Sequence, residues 1–334
     1  MRSRPFLVLL IAGLVLAGCG DKSDPEGDSL AAQQVTASSM LGSTWPLTGL
    51  PVTGEATAAQ SHPVMVLKLD NTASSAPQVG LGKADLVVEE LVEGGMTRLA
   101  AFFYSEIPGP VGPVRSMRAS DIGIVAPTDG AMVTSGAADV TISRIQEAGI
   151  TYFAEGSPGF YRDTTRAAPY NLFTDMSETV TGVELDEPQR PADYLPWGSA
   201  EEFPTGQPAA SLEASFSGGH TTSWRFKDGT YVNENSFAGP GDEFAADTVL
   251  VLRVKVGDAG YLDPAGNSVP ETRLEGKGQA MVFHGGRLVR GKWTKDGLDA
   301  PLQLSTKAGE LTVPAGHTWI ELVPLGGGTV TFTK

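Results

Sequence analysis

The sequence predicts an α+β protein, in which a layered α/β first domain with a mixed sheet is followed by a mostly β second domain. Up to about residue 182, apolar runs of strand length alternate with helical patterns, whereas after residue 210 such runs follow one another across glycine-containing turns. The 41 glycines and 23 prolines among 334 residues favour many turns and ordered loops over long helices.

The first 18 residues have the features of a secretory signal peptide. Two arginines precede an apolar run from Phe6 to Leu16, which is short for a membrane span, and the small-residue segment LAGC follows. The single cysteine, Cys19, ends LAGC, which resembles the lipobox at which bacterial lipoproteins are cut and acylated. We expect a signal peptide over residues 1–18, a lipid on Cys19 and a flexible polar tether over residues 19–44. The alternative is a plain signal peptide with a chance cysteine.

Lipidation would place the protein outside the cytoplasm, anchored to the outer face of the cell membrane. With 24 Lys and Arg against 39 Asp and Glu, the net charge is −15. This charge argues against a nucleic-acid partner, because such proteins neutralise phosphates with a basic face. Besides the membrane lipid, the partners that we consider are a cell-wall glycan and an envelope protein.

The first domain, residues 45–182, has strand and helix patterns in a defined order. After the loop segment WPLTGLPV, strands are predicted in HPVMVLKLDN, ADLVVEELVE and TRLAAFFYSE. A short helix in SMRASDIGIVAP is stopped by Pro127. The segment GAMVTSGAADVTISRIQEAG predicts a strand, a tight turn and a helix that stops at Gly149.

The Pro-rich, acidic segment of residues 183–210 predicts an interdomain linker, and residues 211–334 predict a β-rich domain. Its strands are expected in TSWRFKDGTYV, DTVLVLRVKV, GQAMVFHGGRLVRGKWTK, LQLSTKAGELTVPAG and HTWIELVP. KDGT, HGGR and KAGE are hairpin turns, because glycine readily takes the positive φ that they require.

Three glutamates at the end of one predicted strand, in LVVEELVEGG, are candidate catalytic residues. Alternation places Glu89 and Glu93 on one face, about 13 Å apart, and Glu90 on the other. A carboxylate pair would therefore need a bulge at Gly94-Gly95 or an acid from another element, such as Asp70.

Arginines concentrate in the loops of the first domain, although the chain is acidic. Guanidinium groups bind carboxylate or phosphate bidentately, which predicts an anion site. The candidate ligand-binding residues are Arg98, Arg115, Arg118, Arg162, Arg166, Asn71 and Asn171. The alternative is that the arginines form structural ion pairs with the glutamates and with Asp163.

Other chemistry has weak support. Ser135 follows a predicted strand, but the G-x-S-x-G motif is absent, and His62, His220, His284 and His317 are far from it in sequence. The histidines show no metal-binding spacing. A Ca²⁺ or Mg²⁺ site from Asp70, Glu89 and Glu93 lacks a loop signature, and no nucleotide-binding motif occurs. We therefore expect neither metal nor cofactor.

Several segments in order resemble the YerB-like lipoprotein family, an envelope family of unknown function. They are PLTGLPV, VMVLKLDN, APQVGLGKADLVVEELVEGGMTRLAAFF, GPVGPVRSMR, RDTTRAAPYNLF, DTVLVLRVKV, EGKGQAMVFHGGRLVRGKWTK and AGHTWIELVP. The resemblance runs from about Trp45 onward and implies a layered α/β part followed by a β-rich part, without an established reaction. Tyr170 stands where the family's APHN segment has histidine, so an activity that depends on that histidine is in doubt here.

These observations leave three hypotheses. The first is a binding or accessory protein of the cell envelope with an acidic and arginine-lined pocket in the first domain. The second is a carboxylate-dependent glycan hydrolase, which requires two carboxyls facing each other across an open cleft. The third makes the charged residues a device for folding and domain docking, in which Glu89→Gln would lower stability without loss of ligand binding.

Overall fold

The computed structural model describes residues 44–54 and 57–334. Ser43–Lys334 form one compact unit. The predicted signal peptide, Cys19 and almost all of the predicted tether lie outside the described residues. Within the described part of the chain, every helix is too short or too polar to cross a bilayer.

Strands dominate the described residues. The first nine are β1 (Met65–Asp70), β2 (Leu86–Leu91), β3 (Thr97–Phe103), β4 (Pro110–Val111), β5 (Ala131–Val133), β6 (Tyr152–Phe153), β7 (Phe160–Arg162), β8 (Leu172–Asp175) and β9 (Trp197–Gly198). They are followed by β10 (Gln207–Pro208), β11 (Ser211–Ser215), β12 (Thr221–Lys227), β13 (Thr230–Asn233), β14 (Thr248–Leu262), β15 (Ser268–Arg273) and β16 (Gly276–His284). The last are β17 (Arg287–Lys295), β18 (Gln303–Thr306), β19 (Gly309–Glu310), β20 (Val313–Pro314), β21 (Thr318–Pro324) and β22 (Thr329–Thr333). The α-helices are α1 (Asp121–Val125), α2 (Asp139–Glu147) and α3 (Met176–Thr179).

One 13-stranded mixed sheet organises the molecule. Its order is β19-β18-β17-β16-β14-β21-β2-β3-β1-β5-β6. In addition, β10 pairs with β17 and β15 pairs with β14. The pairs β14·β21, β2·β21, β1·β5 and β5·β6 are parallel, whereas β3 runs antiparallel to both of its neighbours, β1 and β2. The predicted α+β class with a mixed sheet is confirmed.

Both faces of this sheet are covered. The face carrying Val66, Val88 and Ala100, called here the helical face, packs against α1, α2 and the segment around Tyr194. The opposite face, called here the small-sheet face, packs against the four-stranded sheet β13-β12-β11-β22 and the three-stranded sheet β4-β8-β7. A charged residue in a central strand is therefore buried whichever way it points, and it needs a partner within the protein.

The elements predicted from the sequence are present. α1 ends at Val125, just before Pro127, and α2 ends two residues before Gly149, which has φ +74°. The HGGR turn joins β16 to β17 with φ +57° and +70° at its two glycines, as a tight hairpin requires.

The main sheet crosses the boundary that the sequence predicts at residues 183–210. β2 from the first part pairs with β21 from the second over five register positions, from Leu86 opposite Thr318 to Glu90 opposite Leu322. The Pro-rich segment itself contains the two-residue strands β9 and β10, which pair with β20 and β17. The two parts of the chain thus share a single sheet.

Candidate functional site

Charged side chains meet at one edge of the main sheet. β1, β2 and β5 run in the same direction and end there, while β3 starts there, because it is antiparallel to β1 and β2. The segment before α1 crosses this edge: Asp70 N donates to Pro113 O at 3.1 Å, and Arg115 N donates to Lys68 O at 2.8 Å. Crevices outside the carboxyl ends of parallel strands are common ligand sites in α/β proteins.

We call five of these residues the carboxyl-edge cluster. They are the candidate residues Asp70, Glu93, Arg98, Arg115 and Arg118. Glu93 accepts from Arg98 Nη2 at 3.2 Å and from Arg118 Nε at 2.9 Å, and Arg118 Nη2 also contacts it. Burial alone would raise the pKa of Glu93, but the hydrogen bond from Arg118 and the charge of Arg98 outweigh burial and lower it. Glu93 therefore holds two guanidinium groups as a carboxylate.

Asp70 and Arg115 form the second pair of the cluster. Arg115 Nε lies 2.8 Å from Asp70 Oδ2, but the geometry is not that of a hydrogen bond, and Nε has no other partner among the described residues. The Arg115 guanidinium lies 5.4 Å from the ring centre of Tyr170, and its Nη1 donates to Pro169 O at 3.4 Å. The Arg115 side chain is 21% exposed, so it is the most accessible arginine of the cluster.

Positive charge exceeds negative charge in the cluster. Three guanidinium groups face two carboxylates, and burial together with the charges of Arg118 and Arg115 lowers the pKa of Arg98 to about 10. The half-buried hydroxyls of Ser116 and Ser135 lie at the same edge, 3.1 Å apart. This arrangement can accept one further negative group.

Glu93 does not lie on the face that alternation predicts. β2 ends at Leu91, and Glu93–Gly95 form a short 3₁₀ turn with φ +72° at Gly94. The turn ends the alternation and brings Glu93 to the arginines, on the face of Glu90. The expectation that Glu93 shares a face with Glu89 was wrong, because it extended the strand beyond its end.

Glu90 lies under this cluster in a buried triad. Lys68 Nζ donates to Glu90 Oε1 at 2.7 Å and lies 2.9 Å from Asp121 Oδ1, with all three side chains fully buried. Burial alone would lower the pKa of Lys68, but the charges of Asp121 and Glu90 outweigh burial and raise this pKa. Burial raises the pKa of Glu90, which the Lys68 ammonium opposes only in part. Glu90 is therefore unavailable to a substrate.

Glu89 points to the small-sheet face, into a second buried network. Its carboxylate accepts from Thr97 Oγ1 at 2.7 Å, from His220 Nε2 at 2.8 Å and from Asn71 Nδ2 at 3.0 Å. Thr222 and Trp319 donate to the same carboxylate. Burial alone would raise the pKa of Glu89, but the hydrogen bond and charge of His220 outweigh it and lower it.

Glu321 lies opposite Glu89 in the register of β2 and β21. Its Oε1 accepts from Trp224 Nε1 at 2.7 Å, and its Oε2 has no donor among the described residues. Burial and the negative charge of Glu89 raise the pKa of Glu321 well above its usual value. A proton on Glu321 supplies the hydrogen bond that its Oε2 lacks, so the pair is one carboxylate and one carboxylic acid.

Besides Asn71 in the Glu89 network, three candidate ligand residues lie outside the carboxyl-edge cluster: Arg162, Arg166 and Asn171. Arg162, at the end of β7, binds both carboxylate oxygens of Glu155 and donates to Asn171 Oδ1 at 2.8 Å. Arg166 packs over Phe173, donates to the backbone oxygens of Ser75 and Pro77, and pairs with Asp163. Arg162 and Asn171 thus stabilise the exposed hairpin formed by β7 and β8.

The serine nucleophile and the metal site, which the sequence supports only weakly, lack the arrangement of side chains that they need among the described residues. Ser135 Oγ contacts Ser116 Oγ and no imidazole among the described residues, and Asp70 and Glu93 lie on the opposite face from Glu89. The described part of the chain contains no cluster of three metal-ligating side chains.

Sequence reasoning missed Lys68, Asp121, His220 and Glu321. Lys68 and Glu321 do carry a signal, since each interrupts an apolar strand, in VMVLKLD and WIELV. A charge with apolar neighbours on both sides indicates a buried, partnered group. His220 has no such signal, because it lies on a glycine-rich turn far from Glu89 in sequence.

The chain matches two models of one protein family. The N-terminal domain of the DUF3048 family, described as a protein of unknown function, matches residues 47–188, and the C-terminal domain matches residues 212–320. The YerB protein of Bacillus subtilis (strain 168), whose name describes it as a lipoprotein, is 26% identical over 301 residues, which cover 84% of this chain and 86% of YerB.

A solved structure has the same fold. The crystal structure of YerB from Bacillus subtilis matches with a TM-score of 0.70 and 22% identity, over 86% of this chain and 99% of that chain. With both family domains matched in order and the fold shared, the chain belongs to the DUF3048 family, and the resemblance to YerB-like proteins that the sequence predicts is confirmed.

Proposed function

We propose that this protein is an extracytoplasmic lipoprotein, anchored through Cys19, that binds an anionic group of a cell-envelope component at the carboxyl-edge cluster. The similarity to YerB supports the lipoprotein assignment, and the LAGC segment supports Cys19 as the acylated residue. The role is one of binding or of assisting another envelope protein.

One observation carries the binding hypothesis. The Arg115 side chain is 21% exposed, although its Nε is buried against Asp70, so its terminal N–H groups are the ones that can meet a ligand. Two further arginines of the same cluster share the single carboxylate of Glu93. Carboxylate and phosphate groups satisfy a guanidinium with two parallel hydrogen bonds. A carboxylate or phosphate on a wall glycan or on a partner protein is thus the group that fits.

The glycan hydrolase hypothesis has less support. A glycosidase needs a carboxylic acid with a raised pKa beside a second carboxylate, both open to the substrate. Among the four candidate acids, Glu93 has a lowered pKa and is held by two arginines, while Asp70 is held by Arg115. Glu90 has a raised pKa, but its side chain is fully buried against Lys68. Glu89 lies beside Glu321, whose pKa is raised, but both residues are fully buried and closed to a substrate.

Arg115→Ala is expected to weaken binding of soluble cell-wall fragments by roughly ten- to a hundred-fold, because charge-assisted hydrogen bonds to the ligand are lost. Equilibrium titration of the purified protein with these fragments measures the effect. The matched control is Arg225→Ala on β12, which removes the same charge from an exposed ion pair with Glu234 and should leave affinity unchanged. The absence of binding by the native protein, or equal affinity of the Arg115 variant, would contradict the proposal.

Cys19→Ser is expected to move the protein from the membrane fraction to the soluble fraction of cells, because it removes the thiol that carries the lipid. Fractionation followed by immunodetection measures this. Retention of the variant in the membrane fraction would show that another segment anchors the chain.

A further inference from the structure

A cleft lies on β16, β17 and β18, away from the carboxyl-edge cluster. It has a volume of about 460 Å³, within the range typical of small-molecule sites. Its polar lining residues come from three adjacent strands and the following turn: Gln279, Arg290, Lys292, Ser305, Thr306 and Lys307.

Strand register explains how these side chains meet. Lys292 on β17 lies opposite both Gln279 on β16 and Ser305 on β18, so the three side chains form a row across one face. Arg290 lies two residues along the same strand, about 7 Å away, and therefore on the same face. A row of cations with an amide and a hydroxyl beside it offers both charge and directed hydrogen bonds.

The lining contains three cations and no carboxylate. The nearest acid in register is Glu310, opposite Ser305, and it is not part of the lining. Among the described residues, none of the three cations has a carboxylate within 4.0 Å, although the chain as a whole carries a net charge of −15. Uncompensated positive charge is thus concentrated at this cleft.

Arg290 is held in place without neutralisation. Its guanidinium lies 5.5 Å from the ring centre of Phe332, and Nη1 contacts the Met281 sulfur at 3.2 Å. Stacking on an aromatic ring fixes the plane of a guanidinium while its edge N–H groups stay free to donate. The arginine is therefore oriented before any anion arrives.

We propose that this cleft binds a soluble phosphate-bearing anion, as a site separate from the carboxyl-edge cluster. A phosphate group carries up to about two negative charges and several acceptor oxygens, which suits one oriented arginine and two flexible lysines. The concave shape and the acidic remainder of the chain favour a soluble ligand over a flat anionic membrane surface.

The test uses inorganic pyrophosphate as the probe, in calorimetric titrations of the native protein. Saturable binding is expected, with affinity falling as salt increases, and Lys292→Ala should weaken it by roughly tenfold. The matched control is Lys277→Ala, which removes an exposed cation on the same face of β16 but outside the lining. A loss of affinity in the Lys292 variant assigns the bound pyrophosphate to this cleft, because Lys292 lies outside the carboxyl-edge cluster.

Three outcomes would overturn the proposal. They are no measurable pyrophosphate binding, equal losses in the Lys292 and Lys277 variants, and binding only to vesicles of anionic phospholipid. Equal losses would show a diffuse charge effect, and vesicle binding alone would show a membrane-facing surface. Because Lys292 is exposed, thermal unfolding of its variant should match that of the native protein, so a lost affinity cannot come from misfolding.

Discussion

Lys68→Met is expected to lower the free energy of unfolding by about 3–5 kcal/mol, because it leaves two buried carboxylates without a cation. Lys68, Glu90 and Asp121 have no exposed side-chain surface, so water cannot replace the ammonium. The loss should be larger at pH 8 than at pH 5. Without Lys68 the folded state holds a proton on a buried carboxyl that the unfolded state releases, so stability falls as pH rises.

Urea unfolding of the native and variant proteins at both pH values measures this effect. The matched control is Lys83→Met, which breaks an exposed pair with Glu106 and should change stability by at most about 1 kcal/mol. Adding Glu90→Leu to the Lys68 variant should recover part of the loss, since it removes one of the unpaired charges. A loss as small as that of the Lys83 variant would mean that water reaches the triad.

Glu89→Gln and Glu321→Gln are expected to have opposite effects, although the chemical change is the same. The Glu89 carboxylate accepts hydrogen bonds from five side chains. The NH₂ group of a glutamine would face some of these donors, so Glu89→Gln should lower the free energy of unfolding by about 3 kcal/mol. The raised pKa and the Oε2 that lacks a donor favour a proton on Glu321, which a glutamine imitates, and its Oε1 can still accept from Trp224. Glu321→Gln should therefore be as stable as the native protein at neutral pH, or more stable.

The pH dependence separates the two residues further. The pKa of Glu321 is raised above 4.5, so above that pH the folded state binds more protons than the unfolded state, and stability falls as pH rises toward the raised pKa. Glu321→Gln should remove this fall. The pKa of Glu89 is lowered, so its contribution is present above pH 4.5 and is lost as pH falls through the lowered value.

Urea unfolding from pH 8 down to well below pH 4 tests both statements, with each variant as the control for the other. Equal destabilisation by the two substitutions would contradict the placement of the proton on Glu321. If Glu89→Gln lowers stability while binding of wall fragments is unchanged, this network is a device for folding and docking, as the third hypothesis from the sequence expects. The carboxyl-edge cluster would then carry the binding alone.

Local patterns predicted the elements of this fold well. Runs such as VMVLKLD and TRLAAFF have the length and composition of buried strands, and Pro127 and Gly149 mark helix ends by their backbone restrictions. Pairing between distant strands could not be predicted, because parallel partners leave no local turn to reveal them. That β2 and β21 are adjacent in the sheet is therefore known only from the structure.

The candidate site was predicted in part. The grouping of Glu93 with the arginines around α1 follows from their position at strand ends, where side chains converge. Glu89 and Glu90 were assigned to opposite faces correctly, but their partners could not be named. His220 reaches Glu89 from a turn of the second part of the chain, and Asp121 reaches Lys68 from the first turn of α1.

The parallel pairing of β2 with β21 also constrains how the chain can fold. β2 bonds to β3 on one side, but its other edge stays open until residues 318–324 arrive, and the Trp319–Glu89 hydrogen bond spans 230 positions. Contacts of such long sequence separation form slowly, and an open apolar edge invites pairing with other chains in the meantime. A nascent chain emerging from its N-terminus therefore remains prone to aggregation until residues 318–324 are available, and truncations that remove β21 would leave this edge permanently exposed.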